Sequence, residues 1–403
     1  MKLTIERKEL LTALGIVKSA AVDGRTQTSV PVLSHVLINT FDKSVEFVCT
    51  DLDLILRAKA DAEIKTKGSI TVRANLLHDL ARSFSGEHVG LELVKDTLHV
   101  TCGDSLYKLG TLPVDEFPPL PRLRDAAEIE VPQATLRSLL ASTSFAAAST
   151  DQTRAVLNGS LLRVNGDLTT VGCDGSRLAL LSAPADGLGK KARSLVLPRP
   201  AVGGLLRLLD EAEENKRCRI VTAENLCQFH IGDAVLTTKL IEGAYPNYNE
   251  VIPSIKSRGI PIGRVDLLNA LQRCALISDV CQLDFRKQVL NIHAVNNRDV
   301  VGEASENLLV PSGENLRLSF TTRYLVDALS AVEDDEIQFH GRVGTPAVIK
   351  VASTPWLSVI MPRGNKEEAP TAPANKPEPA KPDAKPQPMS AAPANTGAPA
   401  QTK

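Results

Sequence analysis

Along residues 1–363 the apolar positions switch between two periods, and the switch recurs three times. Leu10, Leu14, Val17 and Ala21 fall at i, i+4, i+7 and i+11, on one face of a helix. Leu136, Leu139, Leu140 and Ala147 form a second such stripe, and Leu267, Leu268, Leu271 and Ala275 a third. Each is followed by another helical stripe: Leu76, Leu77, Leu80 and Phe84, then Val202, Leu205, Leu206 and Leu209, then Leu325, Leu329 and Val332. Pro132 and Pro200 stand where a first helical turn tolerates proline.

Between and after the helices the period is two. Leu161 to Val164, Asn165-Gly166 and Leu168 to Cys173 read as a tight hairpin, with Asn-Gly supplying the positive φ angles of a type I′ turn. Asp174-Gly175 marks a further turn before the strand at Leu178 to Leu181. The first copy has the same layout at Val36 to Asn39, Val45 to Cys49 and Leu52 to Ala58. Each copy closes on a strand pair: Gly90 to Val94 with Leu98 to Cys102, Arg219 to Thr222 with Cys227 to Ile231, and Glu336 to His340 with Ala347 to Val351. A repeat of roughly 125 residues exceeds a solenoid unit, so each copy can hold its own core. The pattern predicts an α+β protein of three similar domains, each with two helices packed on antiparallel sheets: 1–124, 125–250 and 251–363.

The last segment, 364–403, is rich in Pro, Ala and Lys and has no Val, Ile, Leu or aromatic residue. It cannot bury enough apolar surface to offset its ordering entropy, so a disordered tail is expected, either a spacer or an inert extension. Hydrophobic residues at 43% and charged residues at 23% fit soluble globular domains. No run of 18 apolar residues occurs, and the start at Met1-Lys2-Leu3 lacks the apolar stretch of a signal peptide. The seven cysteines are scattered without a Cys-x-x-Cys pair, which suggests reduced, buried thiols.

Catalytic chemistry is hard to find. No Gly-rich phosphate loop, His-Glu-x-x-His, Gly-x-Ser-x-Gly or metal-type cluster is present, and the seven histidines are dispersed. Asp51 and Asp174 occupy equivalent places in two copies, and the repeat favours turn capping over a carboxylate pair.

Several segments, taken in order, resemble one family. They are Pro31 to Ile38, Thr50-Asp51-Leu52, Thr111-Leu112-Pro113 with Phe117-Pro118, and Arg154 to Gly159. Cys173 to Ala179, Glu242 to Tyr248 with Val251-Ile252-Pro253, Tyr324 to Leu329 and Val359 to Pro362 follow. Together they resemble the bacterial sliding clamps, the beta subunits of DNA polymerase III. The resemblance implies a ring-shaped head-to-tail homodimer whose helices line a hole around duplex DNA. It implies a cytoplasmic, nucleoid-associated processivity factor with no catalysis, no cofactor, no metal and no membrane contact. Its implied partners are DNA of any sequence, the replicative polymerase, the clamp loader and other proteins carrying a clamp-binding motif.

A net charge of −1, from 46 basic and 47 acidic residues, suits weak attraction to DNA better than a tight grip. Lys18, Arg82, Arg137, Arg207, Arg264, Arg273 and Arg323 lie on or beside the expected helices, as DNA contacts or simply solvated faces. Arg25 and Arg154 match basic positions near DNA in the family. The family's partner-peptide pocket maps onto Leu157, Cys173, Gly175, Ser176, Leu178, Pro246, Val251, Val359, Met361 and Pro362. Read without the family, these could be plain core. Cys173, Ser176 and Glu250 replace the common Thr, His and Arg, and Arg363 begins a departure from the usual short ending. The implied subunit interface holds Tyr107, Leu276 and Ile277. Two other readings stand beside this one: an enzyme of nucleic-acid metabolism with a divergent site, and a β-rich scaffold that does not bind DNA.

Overall fold

The computed structural model describes residues 1–364 apart from 24–29, 124–125, 151–152, 185–192, 211–214, 256–257, 297–301 and 312–314. The tail expected at 364–403 therefore lies, from residue 365, outside the described residues, as does Arg25.

The order strand, helix, strands, helix, strands occurs three times. The first copy comprises β1 (Lys2–Glu6), α1 (Arg7–Val17), β2 (His35–Thr40), β3 (Ser44–Thr50), β4 (Leu54–Asp61), β5 (Glu63–Thr66), β6 (Ser69–Arg73), α2 (Ala74–Ser83), β7 (His88–Val94), β8 (Thr97–Cys102) and β9 (Ser105–Leu112). The second has β10 (Ala127–Pro132), α3 (Gln133–Ala141), β11 (Gly159–Asn165), β12 (Asp167–Cys173), β13 (Arg177–Pro184), β14 (Arg193–Pro198), α4 (Arg199–Leu208), β15 (Arg217–Ala223), β16 (Leu226–Ile231) and β17 (Ala234–Lys239). The third has β18 (Ile260–Gly263), α5 (Arg264–Ala275), β19 (Val280–Arg286), β20 (Val289–Asn296), β21 (Gly302–Leu309), β22 (Leu316–Thr321), α6 (Thr322–Ser330), β23 (Glu336–His340), β24 (Ala347–Lys350) and β25 (Leu357–Ile360).

The helical stripes bury as their spacing requires. Leu10, Leu14 and Val17 of α1 are fully enclosed, and each contributes about 1.5–3 kcal/mol by leaving water. Within each copy the two helices pack side by side. The stripes overran the helices at their ends. Ala147 and Val332 lie beyond α3 and α6, where the chain has turned but the apolar side chain is still buried. Asn165 keeps extended backbone opposite Asp167, so Gly166 alone takes positive φ and no type I′ turn forms. Each copy also closes on three strands rather than two, because β9, β17 and β25 add to the expected pairs.

Those last strands join the copies. β17 pairs with β4, placing Leu236 opposite Leu56, and β25 pairs with β13, placing Val359 opposite Leu178. The first joint makes a thirteen-stranded sheet in the order β10-β15-β16-β17-β4-β3-β2-β6-β9-β8-β7-β1-β5. The second makes an eight-stranded sheet, and β21-β20-β19-β22 forms a third. Buried Trp356 reinforces the second joint by donating its indole N–H to the Ser142 carbonyl at 2.8 Å.

Candidate functional site

At the second joint a cavity of about 190 Å³ opens between the second and third copies. One wall is the β12–β13 turn. The Asp174 carboxylate accepts the backbone N–H groups of Ser176 and Arg177, both at 2.9 Å, and holds Gly175 at φ 88°. Asp51 makes the same turn in the first copy, accepting from Asp53 and Leu54 with Leu52 at φ 83°. Both aspartates are thus turn caps. The opposite wall is β25 and its extension. Val359 pairs with Leu178, and the Met361 N–H bonds the Ser176 carbonyl at 2.8 Å. The short 3₁₀ turn Ala155–Asn158 adds Leu157, and the link to the third copy adds Pro246 and Val251. Nine of the ten pocket residues expected from the sequence line this one cavity, while Pro362 does not. Leu178 and Val359 are buried, but Val251 and Met361 are each about half exposed and present apolar surface to solvent.

Arg177 ties this site together. Its guanidinium bonds Asp174 at 3.0 Å, Asp327 of α6 at 2.6 Å and the Phe145 carbonyl at 2.9 Å, and it stacks 4.5 Å from the Tyr324 ring centre. A guanidinium with little exposure demands such a full set of acceptors, and this set links the turn of one copy to a helix of the next. Burial pushes the Cys173 thiol up from its usual range, as it does the Tyr245 hydroxyl. Cys173 is half-buried and the other six cysteines are buried, all unpaired.

Sequence reasoning missed Arg177, Tyr245, Asn247 and Tyr248, which also line the cavity. All four stood inside the quoted motifs. What marks them is the fold back of β25 onto β13, which has no local signature.

The basic candidates divide by environment. Arg82 and Arg207 are exposed in the last turns of α2 and α4, and Lys18 follows α1 with its ammonium 3.3 Å from the His78 ring. Arg323 is exposed near the start of α6, 3.7 Å from Asp327. Arg137 faces Asp210 at 3.3 Å, and Arg273 makes a two-pronged pair with Glu306 at 2.7 and 3.0 Å. Arg264 gives its Nε to the Asp334 carbonyl and an Nη to that of Leu329, so it serves the joint between α5 and the end of α6. Arg154 lies against Gly175 and lines the cavity instead of a helix.

Tyr107 is half exposed on β9 beside Phe84, with Leu106 next to it equally exposed. Leu276, 85% exposed, and Ile277 follow α5, and Ile277 packs on Gly302 at the start of β21. Among the described residues β21 pairs with β20 alone. Also among the described residues, no group of three His, Cys, Asp or Glu gathers as a metal site, and no helix is long and apolar enough to cross a membrane.

Comparison with known proteins agrees along the whole described length. Residues 1–121, 130–247 and 249–363 match the N-terminal, central and C-terminal domains of the DNA polymerase III beta subunit. The chain is 32% identical to the beta sliding clamp of Escherichia coli K12 over 372 residues, covering 90% of this chain and 99% of the relative. It is similar to the crystal structure of the Pseudomonas aeruginosa DnaN sliding clamp bound to griselimycin, with a TM-score of 0.83, 30% identity and coverage of 90% and 99%. The Caulobacter crescentus sliding clamp structure superposes with a TM-score of 0.81 at 30% identity, covering 90% of this chain and all of that one.

Proposed function

The chain belongs to the bacterial beta sliding clamps, the beta subunits of DNA polymerase III, which are DNA processivity factors without catalysis of their own, and from that premise we propose how its parts serve the task. Two copies close head to tail into a ring. The observation that carries this is the repeated joint. The last strand of the second copy pairs with β4 of the first, and the last strand of the third pairs with the matching strand of the second, β13. By the same rule β9 should pair with β21 of another chain. Tyr107 and Leu106 lie on the former, and Leu276 and Ile277 flank the latter. One such joint at each end gives a heterologous contact that closes when the rotation permits.

Duplex DNA passes through the ring. Lys18, Arg82, Arg207 and Arg323 are the side chains best placed to attract it, with Arg137 and Arg273 partly engaged by acids and Arg264 structural. Few contacts and a balanced total charge allow sliding. The cavity between Leu178 and Val359 receives an apolar segment of the replicative polymerase, the clamp loader and other partners. The protein acts in the cytoplasm at the nucleoid. The test is topological: load the protein onto nicked circular DNA with its loader, then linearise. Release on linearisation is expected. Equal retention on linear DNA would overturn the ring.

A further inference from the structure

Beyond β25 the chain crosses between two sheets as a short strap with an anchor at each end. The Met361 N–H bonds the Ser176 carbonyl of the β12–β13 turn at 2.8 Å, and the Arg363 N–H bonds the Ser319 carbonyl of β22 at 2.7 Å. Arg363 and Ser319 form an antiparallel bridge on β22, an edge strand of the four-stranded sheet. The Arg363 Nε also donates to the Thr321 hydroxyl at 3.3 Å. Between the anchors stands Pro362, whose ring fixes φ and leaves the strap little freedom. Met361 lines the cavity, whereas Pro362 and Arg363 do not.

Thr321 immediately precedes α6, the helix whose Asp327 holds Arg177 of the turn. Both walls of the cavity are therefore tied to one helix, the turn through Arg177 and the strap through Arg363. The last stretch of a folded unit frays unless it is tied down, and here the chain runs on from Asn365 to Lys403. We infer that Arg363 is a positioning residue of the partner site, which it serves from outside the cavity by holding Met361 as a fixed wall before any ligand arrives. A partner segment then meets a preformed surface, and no ordering of that wall opposes binding. The inference rests on reading the cavity as the partner site, and it assigns Arg363 an effect that passes through the Met361 side chain.

Two substitutions in the full-length protein test this. Arg363→Pro deletes the N–H that Ser319 accepts, and Arg363→Ala deletes only the side-chain bond to Thr321. Affinity is read by fluorescence anisotropy with a labelled peptide bearing two adjacent leucines. Arg363→Pro should weaken binding roughly fivefold, about the net worth of one hydrogen bond, and Arg363→Ala about twofold. Hydrogen exchange across residues 357–363 should be faster in Arg363→Pro than in the parent. In a Met361→Ala background neither substitution should weaken binding further, because the wall through which Arg363 acts is gone. Unchanged affinity or unchanged exchange in Arg363→Pro overturns the inference and leaves the apolar site standing. So does a loss of the same size in the Met361→Ala background, which would mean that Arg363 acts on the peptide by another route. Failure of the parent protein to bind the peptide overturns the apolar site and this inference with it.

Discussion

Truncating Met361 to alanine tests the partner site most directly. Its side chain is 47% exposed in the free protein, so about half of its surface is left for a ligand to cover. Complete burial of such a side chain is worth about 1.5–3 kcal/mol, which leaves about 1 kcal/mol for the bound peptide to gain. The void left against the ligand in the variant adds to this, and a total near 2 kcal/mol is expected for a desolvated anchor wall. Peptide affinity should therefore fall between roughly fivefold and thirtyfold. Folding and assembly should survive, because the contact that fixes Met361 is its backbone N–H to the Ser176 carbonyl, which alanine keeps. Anisotropy with a peptide bearing two adjacent large apolar residues reads the affinity, and sedimentation reads the assembly. A loss of less than twofold with assembly intact would mean that Met361 does not face the ligand.

At the subunit contact, Leu276→Asp should yield monomers at low micromolar concentration with an unchanged melting temperature, since Leu276 is 85% exposed within its own chain; a stable dimer by sedimentation refutes the assignment. For DNA, Arg82→Ala combined with Arg207→Ala should lower the salt slope of binding by roughly 0.9 per lost phosphate contact without creating sequence preference; an unchanged slope removes both from the contact set. For pH, burial is the main cause that lowers His35, His230 and His340 from 6.5, with Arg73, with Arg219 and Arg57, and with Lys350 adding to it in turn. These rings stay neutral in the fold while the unfolded chain takes up protons below about pH 6.5, so their stabilising contribution is complete above that value and declines as pH falls. His230→Gln should then lose less melting temperature between pH 7.5 and 5.5 than the parent; an equal loss shows that His230 does not contribute.

The pattern of apolar residues determined the three copies, their helices and most of their strands, because helix and strand periods are local properties of the chain. Leu10, Leu14 and Val17 announce α1 without any partner. The Asx turns at Asp51 and Asp174 were equally legible, since a carboxylate capping two nearby N–H groups needs only three or four residues. Helix ends were less so, as Ala147 and Val332 show: a core can draw in an apolar side chain from a turn as readily as from a helix. The resemblance to sliding clamps located most of the cavity wall, but the sequence could not say that Arg154 borders it or that Pro362 does not. Tertiary structure alone decided that Arg177 reaches Asp327, 150 positions away, and that β25 lies on β13. It alone showed that Arg264 is spent on backbone carbonyls while Arg82 and Arg207 face solvent. A side chain's partners across a joint depend on where distant strands pair, and that follows from the whole core closing at once rather than from any stretch of residues near it.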